Sequence, residues 1–292
     1  MIPASFEYVA AKSLDEALRL VDQHGDEAKV LAGGHSLLPL MKLRLALPRY
    51  IIDIGRIRNL NYIREESGKV AIGALATHAE VISSALLREK CPLLSETAES
   101  IGDVQVRNRG TIGGSLAHAD PAADYPASVL ALDAEMVAAS NAGKRTIPAA
   151  DFFVDLLSTQ LRPGEILVEV RVPAIAPGSG TAYRKMHQPA SGFAIVGAAA
   201  RLTVNEKKKF EDVALGITGL GAKAFRAFGV ERVLRGKDAN AKSIADAARH
   251  VAQGVEPLSD IHASAEYRRE MAVVYARRAL EAALARAAGS KA

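Results

Sequence analysis

The chain does without several things that common protein classes require. It has one cysteine, Cys91, in 292 residues. A lone thiol excludes an internal disulfide, and it excludes an all-cysteine cluster or zinc site held by this chain alone. Lying before Pro92 between two helical stretches, it reads as a buried, inert thiol. Tryptophan is absent and aromatics make up 5%, so the core must be built from Ala, Leu, Val and Ile. No apolar run reaches the roughly 18 residues of a membrane-spanning helix. Residues 1–5 show neither a basic n-region nor an apolar h-region, so no signal peptide is expected and a cytoplasmic location is the default. The net charge is only +4. The one dense basic cluster, Lys207-Lys208-Lys209, falls at an expected hairpin tip and reads as a solvated turn, so nucleic-acid binding is not expected. Neither G-x-G-x-x-G nor G-x-x-x-x-G-K-[ST] occurs, which argues against a Rossmann dinucleotide site and against a P-loop.

Two glycine pairs are present instead. Each follows an apolar run and precedes a small hydroxyl residue: Gly33-Gly34 with Ser36, and Gly113-Gly114 with Ser115. Glycine admits positive φ and lets a ligand approach bare backbone. Successive exposed N–H groups in such a turn make a concavity for anions. One glycine pair marks a turn, but two in matching contexts suggest a shared task, such as holding a pyrophosphate between them.

Periodicity organises the rest. Strands are expected at 6–10, 29–32 and 50–54, with a helix from a Ser13/Glu16 capping box to Gly25. These make a compact first subdomain, about 1–55. A hairpin turns at Ser67-Gly68, and a second capping box, Thr77/Glu80, opens a helix reaching about residue 88. Helices over 92–101 and 124–132, a hairpin at 141–143 and a strand over 165–172 complete a second subdomain, 56–175. Pro, Ala, Gly and Ser concentrate at 173–180 and mark a boundary. Beyond it, over 178–288, strands at 181–186, 193–204 and 213–220 precede helices near 222–234, 241–253 and 265–287. Tyr267, Met271 and Val274 fall on one side of the last helix. The fold class is α+β, ending in a three-stranded antiparallel sheet with a helical bundle.

Residues 32–44 (Ala-Gly-Gly-His-Ser-Leu-Leu-Pro-Leu-Met-Lys-Leu-Arg) and 111–124 (Thr-Ile-Gly-Gly-Ser-Leu-Ala-His-Ala-Asp-Pro-Ala-Ala-Asp) resemble the FAD loops of the molybdenum hydroxylase medium subunit. That is the family of xanthine dehydrogenase and aerobic carbon monoxide dehydrogenase, and the likeness is greatest to the carbon monoxide branch. A third match runs from Tyr183 to Met186 and from Gln188 to Ala194. The resemblance covers nearly the whole chain. It implies a two-subdomain FAD-binding fold of the p-cresol methylhydroxylase/vanillyl-alcohol oxidase type over 1–175, with non-covalent FAD.

By this resemblance Ala32, Gly33, Gly34, His35, Ser36 and Leu37 would hold one side of the pyrophosphate, and Thr111, Ile112, Gly113, Gly114 and Ser115 the other. Neutral backbone donors suffice for that task, so few basic residues need line the loops. Asp124 matches the residue at the polyol end of the flavin, and it also suits a helix N-cap. Ile101 and Leu167 match positions packed against the cofactor, although on pattern alone both are ordinary core residues. Lys185 matches a lysine at the flavin, where a cation would favour the reduced anion; on pattern alone it is a solvated strand lysine. Phe193 falls where some relatives carry Tyr, so a hydroxyl is missing. His35 follows Gly-Gly as in oxidases that bond flavin covalently, but residues 37–44 fit the non-covalent pattern. Asp120, before Pro121, reads as a turn residue.

No nucleophile–base pair and no metal-ligand pattern stands out, which fits an electron-transfer subunit. The resemblance implies a large partner subunit with the molybdenum cofactor and a small one with [2Fe–2S] clusters, in a dimer of heterotrimers. Electrons would leave for a quinone, oxygen or NAD. A self-contained flavin oxidase of the vanillyl-alcohol type is the alternative. It needs a substrate pocket walled by a large second domain, and residues 180–292 are few for that.

Overall fold

The computed structural model describes residues 2–289. Strands β1 (Glu7–Ala10), β2 (Ala28–Leu31) and β3 (Tyr50–Asp53) form a parallel sheet in the order β1-β3-β2. Helix α1 (Leu14–His24) follows β1 and buries Ala17 and Leu18. Its Ser13 hydroxyl accepts from the Glu16 amide, but the Glu16 carboxylate accepts from Lys12 N–H rather than Ser13, so the expected box is displaced by one residue. A short helix not foreseen in the sequence, α2 (Leu37–Lys42), separates β2 from β3.

The second unit is a five-stranded sheet in the order β4 (Ile63–Glu66), β5 (Lys69–Gly73), β10 (Ile166–Pro173), β6 (Glu135–Ser140), β7 (Gly143–Pro148). A small ribbon of β8 (Phe153–Asp155) and β9 (Ser158–Thr159) lies apart from it. The central strands are apolar on both faces because both are covered. Met136 and Ala138 point to one core with Val70 and Ile72, while Val137 and Ala139 point to another with Leu18 and Ile52 of the first unit. This period-two division sandwiches the sheet between the parallel unit and a helical layer. That layer holds α3 (His78–Ser83), α4 (Ala85–Lys90), α5 (Pro92–Glu99), α6 (Val104–Arg107), α7 (Ile112–His118) and α8 (Tyr125–Ala131), with α9 (Ala149–Phe152) beside β7. The single helix expected from Thr77 is two, because Ser84 leaves the helical conformation at the end of α3 and caps α4 with its hydroxyl. The Thr77/Glu80 box is complete.

In the third unit the antiparallel sheet has four strands, not the expected three: β11 (Ser179–His187), β12 (Ala194–Val204), β13 (Phe210–Thr218) and β14 (Phe225–Arg226). The fourth takes the start of the expected helix at 222–234, so α10 spans only Phe228–Leu234; α11 covers Ala241–Ala248. Residues 205–209 close the β12–β13 hairpin and leave the lysines exposed, as expected. Helix α12 (Ala265–Gly289) packs on this sheet through Ala272, Ala276, Ala279 and Ala283, one step round from the expected Tyr267–Met271–Val274 side. Small residues win there because helix and sheet touch: a Cβ on Gly180 would lie 1.8 Å from the Ala283 carbonyl oxygen. No helix among the described residues is long and apolar enough to cross a membrane.

Glu96 of α5 staples the second unit to the third. It accepts from Arg184 Nη1 at 2.6 Å and from Arg286 Nη2 at 2.9 Å. Burial alone would raise its pKa, but the two guanidinium groups outweigh burial and hold it below the ordinary value. Stability from this staple is therefore present above the unfolded pKa and is lost as pH falls through the folded one. Glu96→Ala is expected to cost about 1–2 kcal/mol at neutral pH, since both arginines remain part-exposed and screened. Urea unfolding at pH 7 and pH 3.5 checks this; an equal cost at both values would refute it.

Candidate functional site

The first glycine loop leaves β2 at Leu31 and enters α2 at Leu37. Gly34 has φ +80, which requires glycine. The amides of Gly33, Gly34, His35 and Ser36 donate to no protein acceptor among the described residues. Ser36 precedes α2 without capping it through its side chain, and His35 is exposed. This loop is an open row of donors.

The second loop differs. Thr111 bridges Thr77, Ile112 N–H donates to Ala76 at 3.0 Å and Gly113 N–H to Ala74 at 2.9 Å. Gly114 N–H turns to the Thr111 hydroxyl at 3.1 Å, and Ser115 N–H to the Thr111 carbonyl at 3.0 Å. These donors are committed to the fold. Gly113 serves contact: a Cβ there would sit 2.4 Å from that of Ala74. Ile112 is fully buried. The two loops meet directly, since a Cβ on Gly33 would lie 2.1 Å from the Arg109 carbonyl oxygen and 2.9 Å from Gly110 Cα.

Beside this contact lies a cleft of about 610 Å³ between the first and second units. Ala32, Gly33 and Thr111 line it, together with Arg56, Arg58 and Arg109. None of these arginine side chains has an ion-pair partner among the described residues. Contrary to the sequence reading, the loops are therefore attended by several basic side chains. Their field favours a di-anion in a concave site. No pattern marked these arginines, because Arg56 and Arg58 lie far from Arg109 in the sequence and only the fold brings them to one cleft.

A second cluster gathers Ile101, Asp124, Lys185 and Phe193. The Lys185 ammonium donates to the Ser100 carbonyl at 2.6 Å, the Gly192 carbonyl at 2.7 Å and the Asp124 carboxylate at 3.0 Å. An ammonium has three protons, so none is left for a ligand. The lysine is far from a solvated strand residue, its side chain being 6% exposed. Asp124 also accepts from the Tyr183 hydroxyl at 2.5 Å. Burial pushes Asp124 up to about 6, against the pull of Lys185 and Tyr183. It stands at the N-cap position of α8, as expected, but its side chain makes no capping hydrogen bond. Ile101 is half-buried against the core and Leu167 is buried within it. Phe193 is 46% exposed at the end of a loop whose Gly192 lies against Gly102. Asp120 forms a turn, accepting from the Ala122 amide at 2.8 Å, as expected.

This arrangement suits a flavin dinucleotide: open amides, unpaired cations and a backbone surface that a single Cβ would fill. Residues 4–175 match the family described as the FAD binding domain in molybdopterin dehydrogenase, and residues 181–283 match the CO dehydrogenase flavoprotein C-terminal domain. The chain belongs to the FAD-binding medium subunits of the molybdenum hydroxylases. It is 43% identical to the carbon monoxide dehydrogenase medium chain of Hydrogenophaga pseudoflava, over 99% of this chain and 100% of that one. It is 41% identical to the 6-hydroxypseudooxynicotine dehydrogenase complex subunit alpha of Paenarthrobacter nicotinovorans, over 100% of this chain and 98% of that one. A solved structure of carbon monoxide dehydrogenase from Hydrogenophaga pseudoflava contains a chain that superposes with a TM-score of 0.95, covering 98% of this chain and 99% of that one. As a medium subunit this chain is one part of an oxidoreductase, and the self-contained oxidase reading is set aside.

Proposed function

We propose that this chain is the FAD-binding electron-transfer subunit of a cytoplasmic molybdenum hydroxylase, of the aerobic carbon monoxide dehydrogenase medium-chain type. A large subunit would hold the molybdenum cofactor and a small one the [2Fe–2S] clusters, two such heterotrimers forming the assembly. The observation that carries this reading is the seat of Gly33 on the Arg109–Gly110 backbone beside an arginine-lined cleft. Residues 1–175 would form the cofactor domain, in two subdomains of the vanillyl-alcohol oxidase type, and 178–288 the C-terminal domain.

FAD, when bound, supplies an acceptor for single electrons that can release them in pairs. The residues' own parts are binding and positioning. The open amides of residues 33–36 would hold the pyrophosphate, with Arg56, Arg58 and Arg109 adding charge. Residues 111–115 would form the opposing wall. Lys185 and Asp124 would fix the position of the Ser100–Ile101 and Gly192–Phe193 segments and act on the flavin through space. Substrate choice would rest with the large subunit, since relatives named for carbon monoxide and for 6-hydroxypseudooxynicotine are almost equally similar to this chain.

Affinity purification from the native cells, with an absorption spectrum and metal analysis, tests this. Flavin, iron and molybdenum together with two further polypeptides are expected. A solitary, catalytically active flavoprotein would overturn the subunit reading, and a flavin-free complex would overturn the cofactor reading.

A further inference from the structure

His78 belongs to neither glycine loop, yet it touches Gly110 at the contact between the loops and Tyr125 beside Asp124. It opens α3 and is 4% exposed. Its amide donates to the Gly110 carbonyl at 3.0 Å. Its ring edge lies under the same residue: a Cβ on Gly110 would be 2.5 Å from Nε2. The ring faces Tyr125 at 5.3 Å between centroids, and Tyr125 follows Asp124. Burial, with His35 of the first loop and Arg107 nearby, lowers its pKa to about 4, so the imidazole is neutral at physiological pH.

Two buried polar atoms here have no partner among the described residues, Nδ1 of His78 and the Tyr125 hydroxyl. A buried polar atom without a partner lowers stability relative to an apolar side chain of similar shape. As core filler, His78 is therefore a poor choice. What the imidazole offers is a flat edge on which Gly110 can rest, in a side chain small enough to stay clear of Tyr125.

We propose that His78 is a positioning residue of the cofactor site, seating the Arg109–Gly110 backbone against Gly33 and aligning the Tyr125–Asp124 segment with it. This rests on the flavin reading of the cleft. Gly110 and Gly33 are successive links in one chain of contacts, so a shift at the ring moves the backbone on which the open first loop leans. Neutrality matters to this role, because a charged ring would repel Arg107.

The test uses the full chain with its copurifying subunits and compares wild type with His78→Leu and His78→Gln. For His78→Leu, flavin affinity should fall at least about tenfold while the urea midpoint of the flavin-free protein stays level or rises. His78→Gln keeps a polar group near the position of Nε2 and should recover flavin binding to within about threefold of wild type. Wild-type affinity in His78→Leu would overturn the proposal, and so would a loss of stability in step with flavin, which marks plain core packing. Should wild type itself hold no flavin, the cofactor reading fails separately. Amide exchange then decides: faster exchange over residues 30–37 and 109–115 in His78→Leu supports the positioning role, and unchanged exchange overturns it.

Discussion

Lys185→Met is expected to cost about 3–5 kcal/mol of folding stability at pH 8, because it removes the cation facing a buried carboxylate. The deficit should shrink toward pH 5. In wild type the folded pKa of Asp124 is raised from 3.8 to about 6. Between those values the folded chain keeps a proton that the unfolded chain releases. The contribution of Asp124 is thus fully present below about pH 4 and lost as pH rises through about 6. Removing Lys185 takes away one of the attractions that oppose burial, so the folded pKa climbs further and the loss extends into the neutral range. At low pH the carboxyl is neutral with or without the lysine, and the charge-dependent part of the deficit vanishes. Urea unfolding at both pH values measures this directly. A deficit that is small, or independent of pH, would show that the pair is not coupled as the geometry indicates. Asp124→Asn combined with Lys185→Met should recover most of the loss, since no charge is then left buried alone. The Ser100 and Gly192 carbonyls would still lack their donor.

Gly33→Val should lower flavin affinity roughly tenfold to a hundredfold while leaving the chain folded. A Cβ at this position would stand 2.1 Å from the Arg109 carbonyl oxygen, well inside van der Waals contact, and valine adds two methyl groups. The neighbour is backbone, so no side chain can swing aside. The first and second units must part instead, which breaks the row of amides away from the opposing wall. Overpacking of this kind typically costs about 1–3 kcal/mol, equivalent to a fall in affinity of roughly tenfold to a hundredfold. Flavin fluorescence after titration of the stripped protein gives the affinity. Gly68→Ala is the control. Gly68 has φ +75 and open space around its Cβ, so this variant should lose a little stability to backbone strain and no flavin. Equal flavin binding by Gly33→Val and wild type would mean that the cofactor does not use the contact between the loops.

Both expectations depend on features that were visible in the sequence to very different degrees. The glycine pairs announced themselves because a turn needing bare backbone has few alternatives in composition. The sequence did not separate their tasks. Gly34 needs a left-handed backbone, Gly33 needs room for Arg109, and Gly113 needs room for Ala74. All are written with the same letter. The second pair looked like an open nest, and its amides proved to be committed to Ala74, Ala76 and Thr111. Lys185 looked like a strand lysine on pattern alone, because nothing local shows that Ser100, Asp124 and Gly192 converge on one ammonium.

The α+β class, the hairpins at residues 67–68 and 205–209, and the pair of glycine loops were all legible in the sequence. These follow from periodicity, turn chemistry and composition, all of which act over a few residues. Likeness of motif placed the chain in its family. Packing of distant segments gathers Arg56, Arg58 and Arg109 at one cleft, buries Lys185 against Asp124, and lays His78 under Gly110. It also turned residues 225–226 from helix to strand. Each of these is set by which surfaces dock, and docking joins residues tens of positions apart. Apolar burial fixes the docking, and it gives a histidine, a lysine or an arginine its role by deciding what lies opposite it.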